Sequence, residues 1–349
     1  MTNQSRSTLS AITSKLRTTY RTIKRLISSK SKGDPLDIPL PLPGVVESGE
    51  WKKHLFISPA FNQPLLVPNL AYYIYTPEPT EQHPTTKGMP LVVMLHGCTQ
   101  NPHVFAEGTK MNLIAQQEGF VVLYPEQSMG HNIAKCWRWF DLSETHGMAE
   151  ANTLMEIIRS TVSMHDLDPN KVFVAGLSAG GGMSSILGAY FPDEIRAIAM
   201  HSSPMLGKAH DMKSGIELMR TPIDDSDEQL MFYLKDVSPK TSQQIPAMII
   251  QGLADEVVSE DNANALTKQF LYLNNLDMKS KGSTTKYHGG TPDEYTHTAY
   301  PNNRNSLVEL IKIKSLNHAW SGGDEKLPFN CEHCVNASAM IWNFFKKYS

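Results

Sequence analysis

One stretch, residues 171–189, restricts the folds open to this chain more than any other. It reads KVFVAGLSAGGGMSSILGA. Val172, Phe173 and Val174 form a β-branched and aromatic run suited to a strand. Gly176-Leu177-Ser178-Ala179-Gly180 follows at once, and Met183, Ile186 and Leu187 then recur at helical spacing. A strand that turns this sharply into a helix leaves no room for side chains two residues to either side of the turn. Gly176 and Gly180 meet that demand. Ser178 is thereby expected to project from the strand end, beside the free N–H groups and positive dipole end of a helix. The alternative is an ordinary serine in a glycine-rich turn; the flanking pattern favours a nucleophile.

The neighbouring segments fit one architecture. Residues 91–95 (LVVML), 120–124, 195–201, 247–251 (AMIIQ) and 310–315 read as strands, several of them continuous apolar runs of the kind buried on both faces. Residues 51–56 and 71–75 are expected to be earlier strands. Helices are expected over 105–118 (closed by Gly119), 147–165, 262–273 and 337–347. Strands alternating with helices predict an α/β fold with a doubly wound, mostly parallel sheet. Two polar segments, 203–244 and 277–306, interrupt the pattern and are expected to lie over the sheet's C-terminal edge, where such folds bind ligands.

Charge is unevenly distributed. Residues 1–33 hold eight of the 32 Lys and Arg residues and no acid, so the remainder is acidic. The chain is therefore divided into a basic arm, 1–34, and a catalytic domain, 35–349, joined through Pro35, Pro39, Pro41 and Pro43. In the arm Leu9, Ile12, Leu16, Tyr20, Ile23 and Ile27 form one helical stripe with the basic residues mostly off it. Such a helix suits peripheral contact with an anionic lipid or a granule surface. The alternatives are an arm disordered in solution or packing of the stripe on the catalytic domain, which is the commoner role of such a stripe. Nucleic-acid binding is not expected. There is no apolar run of 18 residues and no secretory h-region, which points to a cytoplasmic or granule-associated protein.

A serine hydroxyl needs a base, and the base needs an acid to hold its tautomer. In α/β-hydrolases the order is Ser, acid, His. Asp255 lies in the loop after the 247–251 strand, and His318 follows the 310–315 strand. Glu256 and Asp261 have weaker claims, and Asp261 reads as a helix N-cap. His288, His297 and His333 follow no strand, and His201 precedes Asp255. An oxyanion hole is expected from the N–H groups of Ala179 and of Cys98, with Thr99 as runner-up, each contributing about 3 kcal/mol. His96 is expected to be structural. Trp137, Trp139 and Trp320 are the candidates to line the substrate groove, Trp320 first, and Phe140 is as well explained by the core. No metal or cofactor motif is present, and Cys331-x-x-Cys334 lacks the second pair that zinc requires.

The stretches PLVVMLHGCTQNP, EGFVVLYPEQ, CWRWF, GLSAGGGMSS, QGLADEVV and NHAWSGG occur in that order. Together they resemble the poly(3-hydroxybutyrate) depolymerase-like esterases, an α/β-hydrolase branch related to feruloyl and acetylxylan esterases. The resemblance spans roughly residues 70–345. It implies an esterase with Ser178, Asp255 and His318 as its triad, acting on short hydroxyalkanoate esters or a polymeric ester. It also implies a Cys98–Cys136 disulfide, and it leaves an extracellular location open. Departures are the DEKLPFNCEHCVNAS segment, whose Cys331 and Cys334 could form a second bridge, and the polar 277–306 insertion. Feruloyl or acetylxylan esterase action is the alternative within this chemistry. A non-catalytic binding module is the alternative outside it, but such modules usually lack a triad member.

Overall fold

The computed structural model describes residues 49–58, 66–236, 243–291, 293–300 and 306–349. The basic arm and the proline-rich segment after it lie outside them. The strands are β1 (Glu50–Ile57), β2 (Asn69–Thr76), β3 (Leu91–Leu95), β4 (Val121–Pro125), β5 (Val172–Leu177), β6 (Ala197–His201), β7 (Ala247–Gly252), β8 (Ser283–Tyr287), β9 (Tyr295–Tyr300) and β10 (Val308–Ile313). They form one sheet in the order β1-β2-β4-β3-β5-β6-β7-β10-β9-β8. From β4 to β10 every pairing is parallel. Both ends of the sheet are antiparallel. A short pair, β11 (Trp320–Ser321) and β12 (Asn330–Cys331), stands apart from it.

Every residue of β3 to β7 is buried, because helices cover both faces. The period-2 alternation of a strand divides the core. Leu91, Val93 and Leu95 join one cluster with α3 (Gly147–Met164), α4 (Ala179–Tyr190) and α7 (Glu260–Leu273). Val92 and Met94 join the other with α1 (Pro102–Thr109), α2 (Met111–Glu118) and α8 (Ala337–Lys346). This is the doubly wound α/β-hydrolase arrangement.

Three expectations are corrected. Residues 105–118 are two helices, not one: Lys110 takes a left-handed conformation at φ 56° between α1 and α2. Asp261 is not the cap of α7; Ser259 holds that position and Asp261 lies in the first turn. Among the described residues of the 277–306 segment, none lines the pocket beside Ser178. The segment's strands β8 and β9 form a hairpin that extends the sheet past β10. The 203–244 segment contains α5 (Met212–Arg220) and α6 (Asp227–Phe232), and α5 reaches the site.

Candidate active site

Ser178 sits between β5 and α4 with φ 56° and ψ −118°, a conformation that costs a non-glycine residue on the order of 1–3 kcal/mol. The two glycines beside it are required by contact. A Cβ on Gly176 would lie 2.3 Å from the Gly180 carbonyl carbon, and one on Gly180 would lie 2.0 Å from Leu95 O. The turn is fixed from outside by the Ser178 N–H, which donates to His201 O at 2.9 Å. Its side chain is nearly buried, at 7% exposure, and borders a pocket.

Asp255 and His318 meet because two strand ends touch. The Ala254 N–H donates to Leu316 O at 3.0 Å, and Gly252 packs directly on the Leu316–Asn317 backbone. Asp255 Oδ2 lies 2.8 Å from His318 Nδ1, while Asp255 Oδ1 accepts the N–H groups of Val257 and Val258, both at 2.9 Å. Burial pushes the Asp255 carboxyl upward. The His318 charge and these hydrogen bonds outweigh it and hold the group below the usual carboxylate range. An ionised Asp255 keeps a proton on Nδ1, which leaves Nε2 as the basic nitrogen of His318.

The other histidines play different parts. His297 Nε2 faces Glu309 at 2.9 Å, His333 is exposed near Glu325, and His288 is exposed in the β8–β9 turn. His96 is fully buried: Nδ1 donates to Gly97 O and Nε2 accepts the Gln127 N–H. Burial brings its pKa down to about 4, so it is neutral and structural. His201 is also fully buried, stacks on Trp320 with centroids 5.1 Å apart, and accepts the Ser321 N–H at Nε2. Burial, then the His318 charge, bring its pKa down to about 3. It ties the β6 end, which anchors Ser178, to the chain just after His318, a bracing role that its place at a strand end did not reveal.

In the loop after β3 the Thr99 N–H is taken by Ala134 O at 2.8 Å, with Thr99 at φ 68°. Among the described residues the Cys98 N–H has no such partner. The Ala179 N–H is the first of α4 and has none within the helix. Cys98 is disulfide-bonded to Cys136, and Cys331 to Cys334.

The pocket beside Ser178 holds about 480 Å³ of empty space, part of it open to solvent. Its walls are the Cys98–Cys136 bridge, Trp139, Phe140, Ala179, Val257 and the α5 side chains Met212, Ile216 and Met219. Trp139 and Phe140 are both among these walls. Trp137 and Trp320 are not. Each is fully buried with its indole N–H satisfied inside, Trp137 by His96 O at 3.1 Å and Trp320 by Ser338 Oγ at 3.0 Å. The α5 residues were hidden in a polar segment, although 212, 216 and 219 follow helical spacing. Among the described residues no group of three or more His, Cys, Asp or Glu is placed to hold a metal.

Residues 70–294 match the family described as esterase PHB depolymerase. Poly(3-hydroxyalkanoate) depolymerase C of Paucimonas lemoignei is 31% identical over 66% of this chain and 54% of its own length. Poly(3-hydroxybutyrate) depolymerase of Ralstonia pickettii is 26% identical over 80% of this chain and 58% of its own. This chain thus spans little more than half the length of those two relatives. Feruloyl esterase B of Neurospora crassa is 26% identical over 66% of this chain and 78% of its own. Among solved structures, an acetyl xylan esterase from Aspergillus awamori superposes with a TM-score of 0.65 at 19% identity, over 85% of this chain and 99% of that one. That likeness speaks to the fold.

Proposed function

Because the chain belongs to the PHB depolymerase esterase family, we propose that it is a serine esterase with Ser178, Asp255 and His318 as its triad. The 2.8 Å pairing of Asp255 with His318 carries this reading, since the two strand-end loops have no other evident reason to bury a carboxylate against an imidazole. Ser178 Oγ attacks the ester carbonyl and its proton passes to His318 Nε2. The oxyanion is met by the N–H groups of Cys98 and Ala179. His318 returns the proton to the departing alkoxide, leaving an acyl-enzyme. Water, deprotonated by the same imidazole, then releases the acid and restores Ser178.

Short hydroxyalkanoate esters or a polyester of the polyhydroxybutyrate kind form the proposed substrate class. The family and the two depolymerase relatives support it. The aromatic pair Trp139 and Phe140 favours a second reading, action on feruloyl or other aryl esters. A fluorophosphonate should label Ser178 alone. Ser178→Ala should lower kcat by about 10⁶-fold and remain folded. A normal turnover in that variant rules the assignment out. Parallel assays on polyhydroxybutyrate suspension, a feruloyl ester and p-nitrophenyl esters separate the substrate readings.

A further inference from the structure

A buried carboxylate beneath the site has no part in the chemistry above. Glu150, on α3, is 3% exposed. Its Oε1 accepts the Gln127 side-chain amide at 2.6 Å and its Oε2 accepts the Arg138 backbone N–H at 2.7 Å. The Arg138 guanidinium stands 3.7 Å away. Gln127 reaches in two further directions. Its backbone N–H donates to His96 Nε2 at 3.1 Å, and its side chain donates to Cys136 O at 3.3 Å. The next residue, Trp137, donates to His96 O. Cys136 in turn is bonded to Cys98. The routes through Gln127 therefore lead to His96 and to Cys136, the disulfide partner of Cys98, while the Arg138 guanidinium also donates to His131 O at 3.2 Å.

We propose that Glu150 is a positioning residue of the oxyanion loop: acting through Gln127, Arg138 and the Cys98–Cys136 bridge, its carboxylate fixes where the Cys98 N–H stands. The inference rests on the esterase reading above. The chain of contacts favours a loop role over general packing. An apolar side chain would fill this space at lower cost than a carboxylate, whose burial is tolerated only where it organises several donors. The groups around it are Arg138, which favours its charge, and Asp141, which opposes it; burial dominates and raises its pKa to about 7. Its acceptor capacity is thus lost as pH falls through about 7. A protonated Glu150 must turn an O–H toward one of two donors, and the loop relaxes.

The test uses p-nitrophenyl butyrate as substrate and a trifluoromethyl ketone as a mimic of the oxyanion. Glu150→Gln keeps the shape but turns a donor toward Gln127 or Arg138. It should lower kcat about tenfold, a fraction of the ~10²–10³ that a whole oxyanion donor contributes. KM should stay within about threefold, and the ketone Ki should rise by the factor by which kcat falls. The change in kcat that accompanies protonation of Glu150 near pH 7 in wild type should be absent in Glu150→Gln. Gln127→Met, which leaves Glu150 its Arg138 N–H, should show the same signature more weakly and serves if the first variant does not fold. Unchanged kcat, or a fall in kcat with Ki unmoved, overturns the proposal. A wild-type protein that hydrolyses no ester overturns the esterase reading itself, which is a separate result.

Discussion

Gly252 and Leu316 approach so closely that a Cβ on the glycine would lie 2.2 Å from Leu316 O. This contact sets the spacing between the loop that carries Asp255 and the loop that carries His318. Gly252→Ala must push the two backbones apart. Overpacking of this kind costs about 1–3 kcal/mol. The expected outcome is a folded protein with Tm lowered by several degrees and kcat/KM for a p-nitrophenyl ester lowered by at least about tenfold, since a small misplacement between catalytic groups is amplified in rate. Differential scanning calorimetry beside steady-state kinetics checks it; full activity would show that the loops are held by other contacts.

Met219 closes the pocket from the α5 side, and the helix is held there at both ends. Asp211 and Ser214 form a capping box at its start, and Met219 O accepts the Ser259 N–H at 2.7 Å at its end. Met219→Ala should enlarge the pocket without moving the helix. The kcat/KM ratio for octanoyl over butyryl p-nitrophenyl ester should rise about tenfold, in line with the ~1–3 kcal/mol attached to methylene-scale discrimination. An unchanged ratio would mean that the acyl group lies elsewhere.

Glu309, at 1% exposure in β10, is the hub of a second buried cluster with His297, Lys347 and Ser306. Burial raises its pKa, but the bonds to His297, Lys347 and Ser306 and the Lys347 charge bring it down to about 2. A depressed carboxylate stabilises the fold above its unfolded pKa of about 4.3 and loses that contribution as pH falls toward 2. The size is on the order of 3 kcal/mol. Glu309→Gln should lower Tm clearly at pH 7, and the gap from wild type should shrink steadily below about pH 4. Thermal melts from about pH 2 to about pH 7, which bracket both pKa values, decide it; a gap independent of pH would remove the charge from the explanation.

Much of the site could be read from the chain because its parts obey local rules. The Ser178 turn needs glycines at fixed offsets, and Asp255 and His318 each follow a strand that is visible as an apolar run. Trp137 and Trp320 were misplaced because a tryptophan near a catalytic residue can face either way. What decides is whether an inward partner exists for the indole N–H, here His96 O and Ser338 Oγ. The β8–β9 hairpin was read as a covering insertion because its residues are polar. Yet STTKY and YTHTAY are rich in Thr and Tyr, which favour an exposed sheet edge. Helix α5 was missed for the same reason, since three apolar residues in a charged stretch lower its average without erasing its period.

The position of α5 in the chain has a further meaning. Ser178, Asp255 and His318 stand on loops that follow β5, β7 and β10, whereas one side of the pocket wall, Met212, Ile216 and Met219, comes from the excursion between β6 and β7. On the proposed reading, part of the selectivity is thus encoded apart from the residues that react. The excursion can drift, or be exchanged for that of a relative, while the strand ends stay where they are. Such a scaffold can acquire new substrates through replacement of a single cassette, with its chemistry inherited intact.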